Sequence, residues 1–279
     1  MGRRLGQHFL ADPAILERIV DAVEPRPSDV VIEIGPGRGT LTYRLAPRVG
    51  RVIAIEKDVT LADALRADWL AASGERGGRG THQLRVVHGD ALEIAWAGLL
   101  EASPVLSLLP LTAHRFKVVG NVPYYITTPL IEKALSPPPP ELVVFLVQRE
   151  VANRLAASPG SKAYGALSAG VQALASVERL FTVRKGAFRP PPRVDSTLVR
   201  LRPLAEPLVS GPEREPYRRF LAQVFSQRRK QLGRALRTLT AARKAAVEAT
   251  LADLGLDPST RAEQLAPQAL VRLFRVVTR

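Results

Sequence analysis

The 279-residue chain contains no cysteine, and that absence removes disulfides, thiolate metal sites and cysteine nucleophiles together. Histidine is scarce too: the four residues, scattered at positions 8, 82, 88 and 114, make no metal-binding cluster. No apolar run approaches the ~20 residues of a membrane span, and the opening "MGRRLGQHFLADP" has no apolar stretch of signal-peptide length. A soluble, cytoplasmic protein without a metal or a membrane partner is expected. Acidic residues are the minority charge, 26 against 40 basic, for a formal net charge of +14. That balance favours a polyanionic partner such as nucleic acid or an acidic membrane surface.

What the chain does have is alternation. Apolar, β-branched segments at 29–35, 51–56, 84–90, 116–121 and 142–148 recur between helix-like segments. Strands alternating with helical patterns signal βαβ units, so the fold class is α/β with a parallel, doubly wound sheet. Ahead of them "ADPAILERIVDAV" has a proline near its start and apolar residues at 15, 16, 19, 20 and 23, the spacing of an amphipathic helix. Residues 181–203 read as two extended segments around a Pro-rich loop, an antiparallel hairpin at the sheet edge. After Pro203 the strand patterns stop, and 204–279 reads as helical with 14 basic and 7 acidic residues. The expected division is an α/β catalytic domain over 1–203 and a small, basic, all-helical domain over 204–279.

The first strand runs into "EIGPGRGTLT". Glycines at 35, 37 and 39 allow a tight turn and let a ligand approach the backbone before the next helix begins. Acids surround that turn: Glu33 precedes it, Glu56 ends the second strand, and Asp90 ends the third in "HGDAL". Glu56 can accept hydrogen bonds from both hydroxyls of a ribose. Three acids make a poor pyrophosphate site but suit a ligand that carries positive charge, a ribose and an adenine, namely S-adenosylmethionine.

A second motif, "VVGNVPYYITT" at 118–128, follows an apolar run. Pro123 has no N–H to donate within a strand, so Asn121-Val122-Pro123-Tyr124 should lie just past a strand end, where open α/β sheets place their ligands. With a methyl donor nearby, the Asn121 side-chain oxygen and a backbone carbonyl of the same turn can accept from the two N–H groups of an adenine N6 amine, favouring a pyramidal, more nucleophilic nitrogen. Tyr124 offers a face on which the base stacks.

Taken together, "GQHFL" (6–10), "IEIGPGRGTLT" (32–42), "IEKD" (55–58), "GDAL" (89–92), "GNVPYYITTPLI" (120–131), "FRPPPRVDS" (188–196) and "FSQRRKQLGRAL" (225–236) resemble the dimethyladenosine transferases of small-subunit ribosomal RNA almost end to end. The resemblance implies a Rossmann-like class I methyltransferase sheet with a helical C-terminal RNA-binding domain. It implies that His8 and Leu10 flank the S-adenosylmethionine, that Gly35 and Gly37 approach its methionine moiety, Glu56 its ribose and Asp90 its adenine amine. By the same resemblance Asn121, Pro123 and Tyr124 hold the target base against the donor, which Asn121 also contacts, and Phe188 closes over the base's other face. Position 8 is His where this family often has Asn. The implied reaction places four methyl groups on the N6 atoms of two adjacent adenosines in the 3′-terminal hairpin loop of 16S rRNA, within the immature small ribosomal subunit, by a monomeric enzyme. The loops at 72–82 and 103–115 look longer than the family's. Two alternatives stay open: a 23S rRNA adenine methyltransferase of the erythromycin-resistance type, and a non-catalytic RNA-binding assembly factor.

Overall fold

The computed structural model describes residues 8–74, 83–101, 116–240 and 243–278. It begins with a two-residue strand, β1 (Phe9–Leu10), and helix α1 (Pro13–Ala22). Helix α1 starts where its sequence signals place it. The Asp12 side chain accepts from the N–H groups of Ala14 and Ile15 at 3.0 and 3.2 Å, and Pro13 occupies the first position, which needs no donor. Its apolar stripe buries Leu16, Ile19 and Val20.

The sheet follows in βα alternation: β2 (Val30–Ile34), α2 (Thr42–Leu45), β3 (Arg51–Glu56), α3 (Val59–Gly74), β4 (Leu84–His88), α4 (Trp96–Glu101), β5 (Phe116–Asn121), α5 (Thr127–Ala134) and β6 (Leu142–Gln148). Strands β2 to β6 pair in parallel in the order β4-β3-β2-β5-β6. All five residues of β2 are buried, as expected of a parallel strand covered on both faces. The chain runs outward from β2 to β4, then returns to place β5 on the other side of β2. The β2/β5 boundary is therefore the topological switch point, where open sheets leave a crevice outside the carboxyl ends of their strands.

After α6 (Arg149–Leu155) and α7 (Ala166–Gln172) come β7 (Ala175–Val183), β8 (Phe188–Arg189) and β9 (Ser196–Pro203). Strand β9 adds antiparallel to β6 and β7 lies beyond it, so the full order is β4-β3-β2-β5-β6-β9-β7. The sequence-predicted extended segments at 181–203 are thus the sheet edge, with the first strand starting earlier than expected. Between them β8 pairs with β1, setting Phe9 opposite Arg189 and Leu10 opposite Phe188. Of the two long loops, 103–115 lies outside the described residues, as does 72–82 beyond the last turn of α3.

One ion pair sits inside this sheet. Lys117 on β5, 1% exposed, donates to Asp29 at 2.7 Å and to the Glu24 carbonyl at 2.5 Å. A buried ammonium is tolerable only with such partners.

The chain divides into two compact units, residues 1–152 with 178–202, and residues 153–177 with 203–279. It crosses between them next to the expected boundary at 203, but the helical unit also takes in 153–177, which the sequence reading left with the α/β domain. The reason lies in packing: Tyr164, Ala169 and Ala173 join a core with Tyr217, Phe220 and Leu221 of α8 (Arg214–Ser226) and Phe274 of α11 (Pro267–Val277). A short helix of small residues carries no sequence mark of the core it will join. Helices α9 (Leu232–Thr240) and α10 (Lys244–Asp253) complete this unit.

Candidate functional site

Parallel register puts Ile34 opposite Gly120, so the glycine turn after β2 and the Asn-Val-Pro-Tyr turn after β5 emerge side by side. A cavity of about 590 Å³ opens there, lined by His8, Phe9 and Leu10, by Glu33 and the glycine turn, by Glu56, and by Gly120 to Tyr125. Two motifs 80-odd positions apart in the chain become the walls of one site.

The glycine turn is held by its neighbours. Gly35 and Gly37 adopt φ of +67° and +57°, in the left-handed region that residues with a Cβ avoid. A Cβ on Gly37 would also meet the Phe9 ring at 2.8 Å, whereas one on Gly35 would meet only the Asn121 carbonyl oxygen, at 3.9 Å. The space beside Gly35 is thus cavity. Glu56 accepts from the N–H of Gly37 at 3.0 Å and from the N–H of Asp58 at 3.0 Å. A carboxylate has about four acceptor sites, so Glu56 can position the turn and still accept from ligand hydroxyls.

Glu33 lies beneath this turn, 2% exposed, accepting from the Thr42 hydroxyl at 2.6 Å. Burial pushes its carboxyl up to about 7, against the Thr42 hydrogen bond that lowers it, with the nearby Glu56 charge adding to the rise. Such a carboxyl is poised to ionise when a cation enters the cavity.

On the opposite wall Asn121 donates from Nδ2 to the His8 carbonyl at 2.8 Å. That bond fixes the amide and leaves Oδ1 as the acceptor for a ligand donor. His8 therefore acts through its backbone, while its Nδ1–H donates to the Pro190 carbonyl at 2.9 Å. Pro123 fixes the turn, and its carbonyl is used in closing it, accepting from the Ile126 N–H at 3.1 Å and the Thr127 hydroxyl at 3.4 Å. The Tyr124 hydroxyl shares a 2.8 Å hydrogen bond with Ser196, and partial burial holds the phenol above its ordinary range. Tyr124 is thereby anchored with its ring on the cavity wall.

Two expected residues are not brought to the cavity. Asp90 is absent from its lining: one carboxylate oxygen accepts from the Leu92 N–H at 2.8 Å and the other pairs with Lys57 at 2.6 Å. The Lys57 hydrogen bond holds the Asp90 carboxyl below its usual range. Phe188 is absent as well, being 1% exposed and packed in the main core opposite Leu10. A base cannot stack on it in this arrangement, because burial of the ring in the β1–β8 pair wins over exposure at the site. Conversely, the sequence reading passed over Phe9, which explains Gly37, and Ser196, which anchors Tyr124. Both stand inside quoted motifs, "GQHFL" and "FRPPPRVDS", but nothing in one sequence shows which partner each meets.

The chain matches the family described as ribosomal RNA adenine dimethylase over residues 2–279. It is 41% identical over 271 residues to the ribosomal RNA small subunit methyltransferase A of Synechococcus elongatus, covering 95% of this chain and 90% of that one. Among solved structures it resembles a dimethyladenosine transferase from Plasmodium falciparum, with a TM-score of 0.77 and 26% identity over 97% of this chain and 98% of that one. It also resembles the 23S rRNA methyltransferase ErmE, with a TM-score of 0.69 and 29% identity over 97% and 100% of the two chains.

Proposed function

Because this chain belongs to the ribosomal RNA adenine dimethylase family, we infer that it transfers methyl groups from S-adenosylmethionine to N6 of two adjacent adenosines in the 3′-terminal hairpin loop of 16S rRNA. It is an S-adenosylmethionine-dependent rRNA adenine N6-dimethyltransferase, and its work belongs to small-subunit biogenesis. The observation that carries the reading is the pairing of β2 with β5, which sets the acid-flanked glycine turn beside an Asn121 amide already oriented by the His8 carbonyl.

The residues present fit the methyl donor. The open side of Gly35 admits its methionine end, Glu33 faces its positive charge, and Glu56 retains acceptor capacity for its ribose. Bound there, S-adenosylmethionine supplies a methyl group on a sulfonium, which leaves a neutral thioether behind. Asn121 Oδ1 accepts from one N6–H of the target adenine, drawing the nitrogen lone pair out of conjugation and fixing its direction. With the donor bound, Asn121 Oδ1 would go on accepting from N6 as that nitrogen gains positive charge, until its proton leaves to solvent. No strong base is needed beforehand. Tyr124 holds the flipped base by stacking, so that proximity and orientation supply much of the acceleration. Asp90 serves the donor's adenine only if its carboxylate turns from Lys57.

The likeness to ErmE rests on the shared fold, which does not distinguish the two ribosomal subunits; relatives near 40% identity are small-subunit enzymes. A binding factor without chemistry would need neither the left-handed glycines nor an oriented Asn121. The substrate is the hairpin within the immature particle, reached in the cytoplasm. The helical unit contributes phosphate contacts through exposed basic side chains such as Arg229 and Lys230. Mass spectrometry of the 16S 3′ hairpin after incubation of subunits with labelled donor tests the reading. Label on both adenosines is expected, and an unlabelled hairpin beside labelled 23S rRNA would refute it.

A further inference from the structure

Methylation of two adjacent adenosines raises a question of space. The cavity of about 590 Å³ has to hold the methyl donor together with one target base, so the neighbouring base is left at the mouth. Tyr125 stands there. It lines the cavity yet is 66% exposed, the most exposed large apolar side chain among the described residues and the only aromatic in that group. Its backbone is held in the single turn Tyr124–Ile126, closed by the hydrogen bond from the Ile126 N–H to the Pro123 carbonyl and continued directly by α5. The ring is therefore presented to solvent from a fixed base, unlike Tyr124, whose hydroxyl is tied to Ser196.

Lys57 adds a second observation. It directly follows Glu56, its side chain is 54% exposed, and its ammonium is within electrostatic reach of the Tyr125 hydroxyl as well as paired with Asp90. An exposed aromatic face beside an exposed cation matches the two parts of a single-stranded nucleotide, base and phosphate. We propose that Tyr125 is a stacking platform for the nucleotide adjacent to the one in the pocket, with Lys57 facing the phosphate between them. The proposal rests on the functional reading above. It gives the pair of tyrosines separate tasks: Tyr124 holds the reacting base and Tyr125 its neighbour. Because stacking tolerates any base, methylated or not, the same platform serves whichever adenosine is outside.

The test is a cycle between protein and RNA. Wild type and Tyr125→Ala are compared on small subunits whose 3′ hairpin carries the neighbouring adenosine either intact or abasic. Tyr125→Ala should weaken subunit binding by about 5- to 150-fold, the range for losing one stacked base, while Tyr125→Phe and Tyr125→Trp retain it. Donor affinity measured by calorimetry should stay at the wild-type value. The abasic substrate should cost wild type a similar factor, and the two losses should not multiply, since either removes the same contact. Multiplying losses, or wild-type binding by Tyr125→Ala, would overturn the stacking role. Wild type that methylates neither adenosine of the intact substrate would instead overturn the underlying function, a separate outcome.

Discussion

Glu33 should make methyl-donor binding depend on pH with a sign that the structure dictates. Its carboxyl rises from 4.5 to about 7 because it is buried, and at about 1.4 kcal/mol per pH unit that represents about 3 kcal/mol of disfavoured ionisation. Below pH 7 the free protein holds Glu33 protonated. A cationic ligand beside it favours the carboxylate, so binding releases a proton in this range and donor affinity falls about tenfold for each unit of pH below 7. If the bound ligand returned the group fully to its ordinary value, the total span would be about 300-fold. Above pH ~8 the donor's own α-amino group loses its charge, so affinity should peak between roughly pH 7 and 8. Titration calorimetry from pH 5.5 to 8.5, repeated in buffers of different ionisation enthalpy, measures both the affinity and the protons released. Glu33→Gln should weaken binding at pH 7.5 and abolish the acid limb. A wild-type profile that is flat between pH 5.5 and 7, or a limb that survives in Glu33→Gln, would refute the placement of Glu33 against the donor's charge. Folding provides a control of the opposite sign: a raised carboxyl makes the free protein lose stability as pH rises from 4.5 through about 7, and Glu33→Gln should remove that loss.

Asn121→Ala should slow single-turnover methylation on assembled subunits by a factor on the order of 10²–10³, with binding affected far less, because its Oδ1 contact strengthens as N6 pyramidalises; a normal rate would mean that the turn is structural. Lys117→Met leaves Asp29 buried without its partner and should lower stability by roughly 3–5 kcal/mol in urea titration, whereas a change under 1 kcal/mol would show that water reaches the pair. Arg228 is committed inside the helical unit to Glu263 at 2.8 Å and to the carbonyls of Ser161 and Lys162. Arg228→Ala should therefore cost about 1–3 kcal/mol of stability and leave the salt dependence of RNA binding intact, while Arg229→Ala should reduce the salt slope by about 0.7–0.9 without changing stability. The reverse pattern in filter-binding and melting experiments would exchange their roles.

Much of this protein is local enough to read from one sequence. The β-branched runs of β2, β3, β5 and β6 are legible because a strand buried on both faces must be apolar throughout, and α1 because proline and a 3.6-residue stripe agree. Gly35 and Gly37 are legible because only glycine adopts a left-handed backbone cheaply, and Pro123 because a residue without an N–H ends a strand. Those features, with Glu56 and Asn121, suffice to name a methyl donor and an adenine amine. What the sequence could not supply is pairing. The order β4-β3-β2-β5-β6, which turns two separate motifs into one cavity, depends on which strands meet across many residues, and no single-chain pattern encodes that register. The same holds for 153–177, whose small apolar residues join the helical core, and for Arg228, whose charge suggests RNA until its internal partners are seen. Asp90 and Phe188 show the limit most clearly: a motif fixes residue type and position along the chain, but the Lys57 ammonium and the β1–β8 packing decide where those side chains point. Side-chain direction is settled by the sum of nearby contacts, and those contacts exist only once the chain has folded.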